Sequence, residues 1–157
     1  MLTLPPAPPC RLSQLHVATV DPHLGVFFNG ATGSLVGWVS FTNEGAPCSL
    51  LGRPRVRLVG GPAAKVKQRE TALTGEGASV PVRRLLHGRT AGVEIWWSNW
   101  CATGNPGTGR PSPPPTGVVV TLPSGGTVRL RVREAPRCDA PQQPSTVAVG
   151  AFRPRTS

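Results

Sequence analysis

Apolar and polar residues alternate with a period of two along most of this chain. Ser34 to Asn43 is the clearest stretch: Leu35, Val39 and Phe41 share one face with Gly37, and Val36, Trp38, Ser40 and Thr42 share the other. Such alternation, rich in β-branched and aromatic residues, predicts a half-buried strand. It recurs at 54–59, with Val56 and Leu58 inward and Arg55 and Arg57 outward. It recurs at 91–97, where Ala91, Val93, Ile95 and Trp97 alternate with Gly92, Glu94 and Trp96. Residues 117–133 predict a hairpin turning at Pro123-Ser124-Gly125-Gly126, with Val128, Leu130 and Val132 inward and Arg129, Arg131 and Arg133 outward. Weaker strands are expected at 12–20, 64–70, 79–86 and around Val147 to Phe152. Pro81 makes 79–86 an edge or a bulge. Residues 63–74 also admit a helix opening at Pro62. The alternating Lys65, Lys67 and Arg69 favour a charged edge strand there.

The chain holds 157 residues, of which 19 are glycine and 19 proline. In a helix interior glycine costs about 1 kcal/mol and proline about 3. Long helices are therefore excluded, while short strands tolerate such punctuation. The predicted fold is all-β: an immunoglobulin-like two-sheet β-sandwich of about eight strands with Greek-key connections. The length suits one domain with a sizeable core. A proline-rich tether over 1–9, a domain over 10–153 and a basic tail over 154–157 are expected. Residues 4–9 and 102–116 hold more glycine and proline than turns require, so disorder or unassigned contacts are expected there. No run of about 18 apolar residues exists, so no transmembrane helix is predicted. The first ten residues lack the basic start and apolar stretch of a secretory signal.

The four cysteines, Cys10, Cys48, Cys101 and Cys138, include no CxxC pair, and His16, His23 and His87 do not stand at zinc-finger spacing from them. No metal or cofactor is expected. Two disulfides in an oxidising compartment fit best. Of three pairings, Cys10–Cys48 with Cys101–Cys138 is favoured. Each closes a loop of roughly 39 residues, worth about 4 kcal/mol on the chain-entropy model.

Charge adds a candidate surface. Seventeen basic residues, all but Lys65 and Lys67 arginine, face seven acids, for a formal charge of +10. A GC-rich genome produces the same bias toward Arg, Ala, Gly and Pro. Arg55 and Arg57 line one strand face, and Arg129, Arg131 and Arg133 line another. If those strands share a sheet, they make a basic stripe for a polyanion; otherwise they are ordinary solvated faces. No RNA-recognition, zinc-finger or aromatic-interleaved basic motif points to nucleic acid. Strand parity makes Trp97 a core residue, packed by a disulfide as in immunoglobulin-like sandwiches. Trp96 and Trp100 are candidates for an exposed aromatic platform. The absence of tyrosine weakens a carbohydrate- or antibody-like face. No nucleophile elbow, HExxH or P-loop occurs, so no catalytic residues are expected and the chain is read as non-enzymatic.

Phe41-Thr42-Asn43-Glu44-Gly45-Ala46-Pro47-Cys48-Ser49-Leu50-Leu51-Gly52-Arg53-Pro54-Arg55-Val56 resembles the signature of a bacterial domain-of-unknown-function family, number 4232. Cys10 before the first strand, Leu86-His87-Gly88, Trp97-Ser98-Asn99-Trp100-Cys101 and the Leu122 to Gly126 hairpin fit it too. The resemblance spans about residues 10 to 153. It implies an exported, bacterial envelope β-sandwich and carries no activity. The expected role is an extracellular or cell-envelope interaction module, with an acidic envelope polymer or a protein as partner. The alternative is a structural subunit that assembles with itself or another chain through strand edges and the proline-rich N-terminus.

Overall fold

A computed structural model describes residues 4–19, 25, 27–29, 33–73, 80–102 and 112–155. Two strands form the spine, β3 (Leu35–Asn43) and β8 (Thr90–Ser98), paired antiparallel from Leu35 opposite Trp97 to Thr42 opposite Thr90. β1 (Leu15–Thr19) and β2 (Phe27–Asn29) share the other side of β3. β11 (Ser145–Val149) and β12 (Arg153–Arg155) share the other side of β8, and β6 (Gln68–Ala72) adds parallel to β11. Two smaller sheets complete the β-sandwich. One has the order β10 (Thr127–Arg131), β9 (Gly117–Thr121), β5 (Arg55–Val59). The other pairs β4 (Cys48–Leu50) with β7 (Val82–Leu85) across a bulge.

The predicted parity is seen directly. Burial alternates residue by residue along β3, and Val39, Phe41, Val93, Ile95, Trp97, Val118 and Val120 are fully buried. Phe27, Trp97 and Trp100 form one aromatic group, with ring centroids 5.0 and 5.3 Å apart around Trp97. Phe41 meets Phe152 edge-on at 5.6 Å. Each such side chain contributes roughly 1.5–3 kcal/mol by leaving water, and edge-to-face contacts add to that. Both disulfides follow the favoured pairing, Cys10–Cys48 and Cys101–Cys138. Among the described residues, no helix is long and apolar enough to cross a membrane.

Four expectations change. The segment after Pro62 is a 3-10 helix, Gly61–Lys65, and the strand begins only at Gln68. Gly60 just before it and Gly61 at its start take positive φ, so the chain turns before it can extend. The proline-rich stretch does not hang free at its described residues. The Ser49 amide donates to Pro8 O, the Cys10 amide donates to Ser49 O, and the Ala7 amide reaches Arg83 O. The expected basic tail starts inside β12, whose Pro154 tolerates an edge position. Of the 102–116 loop, 103–111 lie outside the described residues. Its described ends are tied down: the Ala102 amide donates to Ser112 Oγ, and Trp100 Nε1 donates to Pro113 O at 2.9 Å.

The outer edge of β5 is closed by side chains. Glu70 Oε2 accepts from the Val56 amide at 2.8 Å. Gln68 takes the Leu58 amide at 2.8 Å on Oε1 and returns a hydrogen bond from Nε2 to Leu58 O at 2.9 Å. An exposed row of backbone donors is a template for unwanted pairing, and Gln68 and Glu70 occupy it. Replacing both by alanine leaves these partly buried groups unpartnered, at about 1 kcal/mol each. Calorimetry is expected to show a melting temperature lower by about 6–12 °C for the three groups, with concentration-dependent association in light scattering. An unchanged melt would mean that water serves these groups as well as the side chains do.

Candidate functional site

The sequence motif around Cys48, Phe41 to Val56, includes Asn43, and the structure shows what that residue does. Asn43 is fully buried. Its Nδ2 donates to Leu85 O at 2.8 Å and Ala46 O at 2.9 Å, and its Oδ1 accepts from the Gly45 amide and from Gln14 Nε2. One side chain thus fixes the 43–46 turn and ties it to β7 and to the 3-10 turn Leu12–Gln14. Asn99 does the same work beside the second disulfide. It takes φ of 59°, a region asparagine tolerates better than most residues. Its Oδ1 accepts from the Asp139 and Ala140 amides, and its Nδ2 donates to Ala140 O. Each disulfide therefore has an asparagine that organises the loop next to it.

The arginine strands do share a sheet. The register aligns Arg57 with Val119 and Arg129, and Arg55 with Thr121 and Thr127. Val59 aligns with Gly117 and Arg131. Arg55, Arg57, Arg129 and Arg131 thus stand on the solvent face of one three-stranded sheet. Strands are about 4.8 Å apart and alternate residues about 7 Å apart. The four Cβ positions are therefore staggered: roughly 7 Å separates the two arginines of each strand, roughly 10 Å separates Arg57 from Arg129, and Arg55 and Arg131 lie at opposite ends. Arg129 is held flat: its Nη2 donates to Thr116 Oγ1 at 2.7 Å and its side chain lies against Gly117, where a Cβ would stand 2.7 Å from its Nε. Arg55 pairs with Glu70 at 3.1 Å and remains largely exposed. The side chains of Arg57 and Arg131 have no partner among the described residues. Arg133 lies past the end of β10 and outside this group. A cleft of about 520 Å³ borders the face at Arg55 and Arg57 and adds Arg69.

The aromatic candidates separate. Trp96 stands on the solvent face of the large sheet, half-buried, its Nε1 donating to Glu94 Oε1 at 2.7 Å. Trp100 is the correction: it is fully buried, packed edge-on against Trp97. The left-handed turn at Asn99 ends the strand and reverses its alternation, so Trp100 turns back into the core. The aromatic that sequence reasoning passed over is Trp38. It lies beneath two guanidinium groups, with Arg153 Cζ 5.3 Å and Arg155 Cζ 5.1 Å from the ring centre. A Cβ at Gly92 would overlap its ring, so glycine is what lets the indole lie across β8. The outward parity of Trp38 was visible in the sequence; its arginines, more than a hundred residues away, were not.

Residues 10–153 match the model of a family described as Domain of unknown function (DUF4232). The chain belongs to that family. No curated protein and no solved structure matches it. The DUF4232 match runs from Cys10 to Arg153, and so takes in both disulfides, both loop-organising asparagines and the arginine face. Phe41 and Asn43 of the first motif, and Trp97, Asn99 and Cys101 of the second, are all committed to core, turn or disulfide. These residues of the two motifs thus serve the folding of this chain. Among the described residues, no group of three or more His, Cys, Asp or Glu side chains is placed to hold a metal ion. What the fold presents outward is arginine.

Proposed function

We propose that this domain is a non-enzymatic, exported module of the bacterial cell envelope that binds an acidic polymer through the solvent face of its three-stranded sheet. The observation that carries this reading is the register row Arg57–Val119–Arg129, with Arg55 and Arg131 on the same face. Arginines on one sheet face suit repeated carboxylates or phosphates, because arginine forks match both and the sheet sets the spacing of the stems that carry them. Val119 and Thr121 between the arginines add no competing acid. Two disulfides favour an oxidising compartment, and the formal charge of +10 draws polyanions over a longer range. The non-enzymatic reading rests on the sequence, with its seven scattered acids and no nucleophile motif.

The alternative of assembly through strand edges gains less support. Gln68 and Glu70 occupy the outer edge of β5, and residues 7–10 bond to β4 and β7 of their own chain.

Retention on immobilised heparin, a generic polyanion, tests the proposal. The wild-type chain is expected to elute above physiological salt. Arg57→Glu with Arg129→Glu is expected to elute earlier than Arg84→Glu with Arg89→Glu, a variant of equal net charge. Each lost contact lowers the salt dependence of log K by about one unit. Elution of the wild type at low salt, or equal shifts in the two variants, would sink the reading.

A further inference from the structure

A second surface, away from the arginine face, combines charge with exposed apolar groups. A cleft of about 510 Å³ opens where β7, the turn after it and β12 meet. Arg83, Arg84, Arg89 and Arg155 line it, and none of its described lining residues is an acid. Val80 and Leu86 stand in its wall, 68 and 47 % exposed, among the few large hydrophobic side chains left open to water.

The cationic groups fall into two pairs. Arg155 is fixed, its Nη1 bonded to Ser40 Oγ and its guanidinium over Trp38. Arg83 is fixed by an Nη2 hydrogen bond to Leu4 O at 2.9 Å. The side chains of Arg84 and Arg89 have no hydrogen-bond or ion-pair partner among the described residues. Two anchored and two unpaired guanidiniums thus face one concavity beside two aliphatic side chains. Anchoring removes part of the ordering cost that binding otherwise incurs.

We infer that this cleft binds a short acidic peptide segment of a partner protein, with its carboxylates on Arg84 and Arg89 and an apolar side chain against Val80 and Leu86. Charge complementarity selects this occupant. A second copy of the chain carries the same +10 and is repelled. A polymer of charge alone leaves Val80 and Leu86 uncovered. A concavity of a few hundred Å³ encloses a few side chains rather than a flat bilayer.

The test uses the full oxidised chain and a fluorescein-labelled octapeptide with three aspartates on either side of a central Leu-Leu pair. Anisotropy is expected to report a Kd in the micromolar range at physiological salt. Arg84→Glu with Arg89→Glu weakens it at least tenfold, and Leu86→Ser weakens it several-fold. Lys65→Glu with Lys67→Glu, an equal charge reversal at exposed residues outside both the cleft and the arginine face, changes it less than twofold. Replacing the two leucines of the peptide by serine weakens it several-fold. These side chains are exposed, so the melts of the variants are expected to match the wild type. No binding at 0.1 mM peptide, equal loss in the two charge-reversed variants, or equal affinity for the serine peptide would overturn the inference. So would cosedimentation with phosphatidylglycerol vesicles that is lost in Arg84→Glu/Arg89→Glu, since it would assign the cleft to a lipid surface.

Discussion

Removing both disulfides, by reductant or by serine at all four cysteines, is expected to leave the chain unfolded at 37 °C. Cys10–Cys48 and Cys101–Cys138 span 38 and 37 positions. On the chain-entropy model each contributes about 4 kcal/mol. Domain stabilities of about 5–15 kcal/mol leave little after two such losses. The bridges also hold different parts. Cys10–Cys48 fixes the proline-rich segment to β4, whereas Cys101–Cys138 joins the end of the β8 segment to the loop ordered by Asn99. Loss of the first alone should open residues 4–10 to proteolysis while the β3–β8 spine persists. Loss of the second alone should release the 139–144 turn. Circular dichroism melts with and without reductant, followed by limited proteolysis of the paired serine variants, check both statements. A melt insensitive to reductant would show that the core suffices alone.

Asn43→Ala is expected to be the most damaging single substitution outside the cysteines and the aromatic core. It strips Leu85 O of a buried partner and leaves the Gly45 amide, Ala46 O and Gln14 Nε2 to partial solvent. An unsatisfied buried polar group costs roughly 1–3 kcal/mol. With the weaker contributions added, about 3–4 kcal/mol follows. For a chain of this size that lowers the melting temperature by about 10 °C. Asn43→Asp should do no better, because a carboxylate cannot donate to Leu85 O or Ala46 O. Thermal melts of both variants decide the matter. If aspartate restored the wild-type melt, the donating half of the amide would be irrelevant and the turn would need only an acceptor.

Much of the sandwich was legible because alternation is a local property. β3, β5, β8, β9 and β10 each announce their inward face through side chains two residues apart. What was not legible depends on distant partners or on a single backbone angle. β2 and β4 have three residues each, too few to alternate. Arg153-Pro154-Arg155 has no apolar residue and reads as a tail until β8 is there to pair with it. Trp100 was misplaced by one left-handed residue before it. The arginine face was visible only as a condition, since sequence shows which way Arg57 and Arg129 point but not that Val119 stands between them. The acidic-peptide cleft was invisible, because it joins residues 83–89 to Arg155 across the fold. The signature motifs drew the eye to Asn43 and Asn99, whose work is local architecture.

The two bridges also set how this domain would respond to tension applied at its ends. A covalent link between Cys10 and Cys48 carries load past everything between them, and Cys101–Cys138 does likewise. Nearly half of the 157 residues are therefore shielded from extension even after every hydrogen bond has failed. β1, β2, β3, β9 and β10 lie inside the shielded spans, whereas β5 to β8 and β11 to β12 do not. A pulled, oxidised domain would lengthen by only about half of what its chain length allows at roughly 3.3–3.6 Å per residue. It would keep its β1–β3 and β9–β10 pairs within covalently closed loops, ready to re-form the sheets when the load is removed.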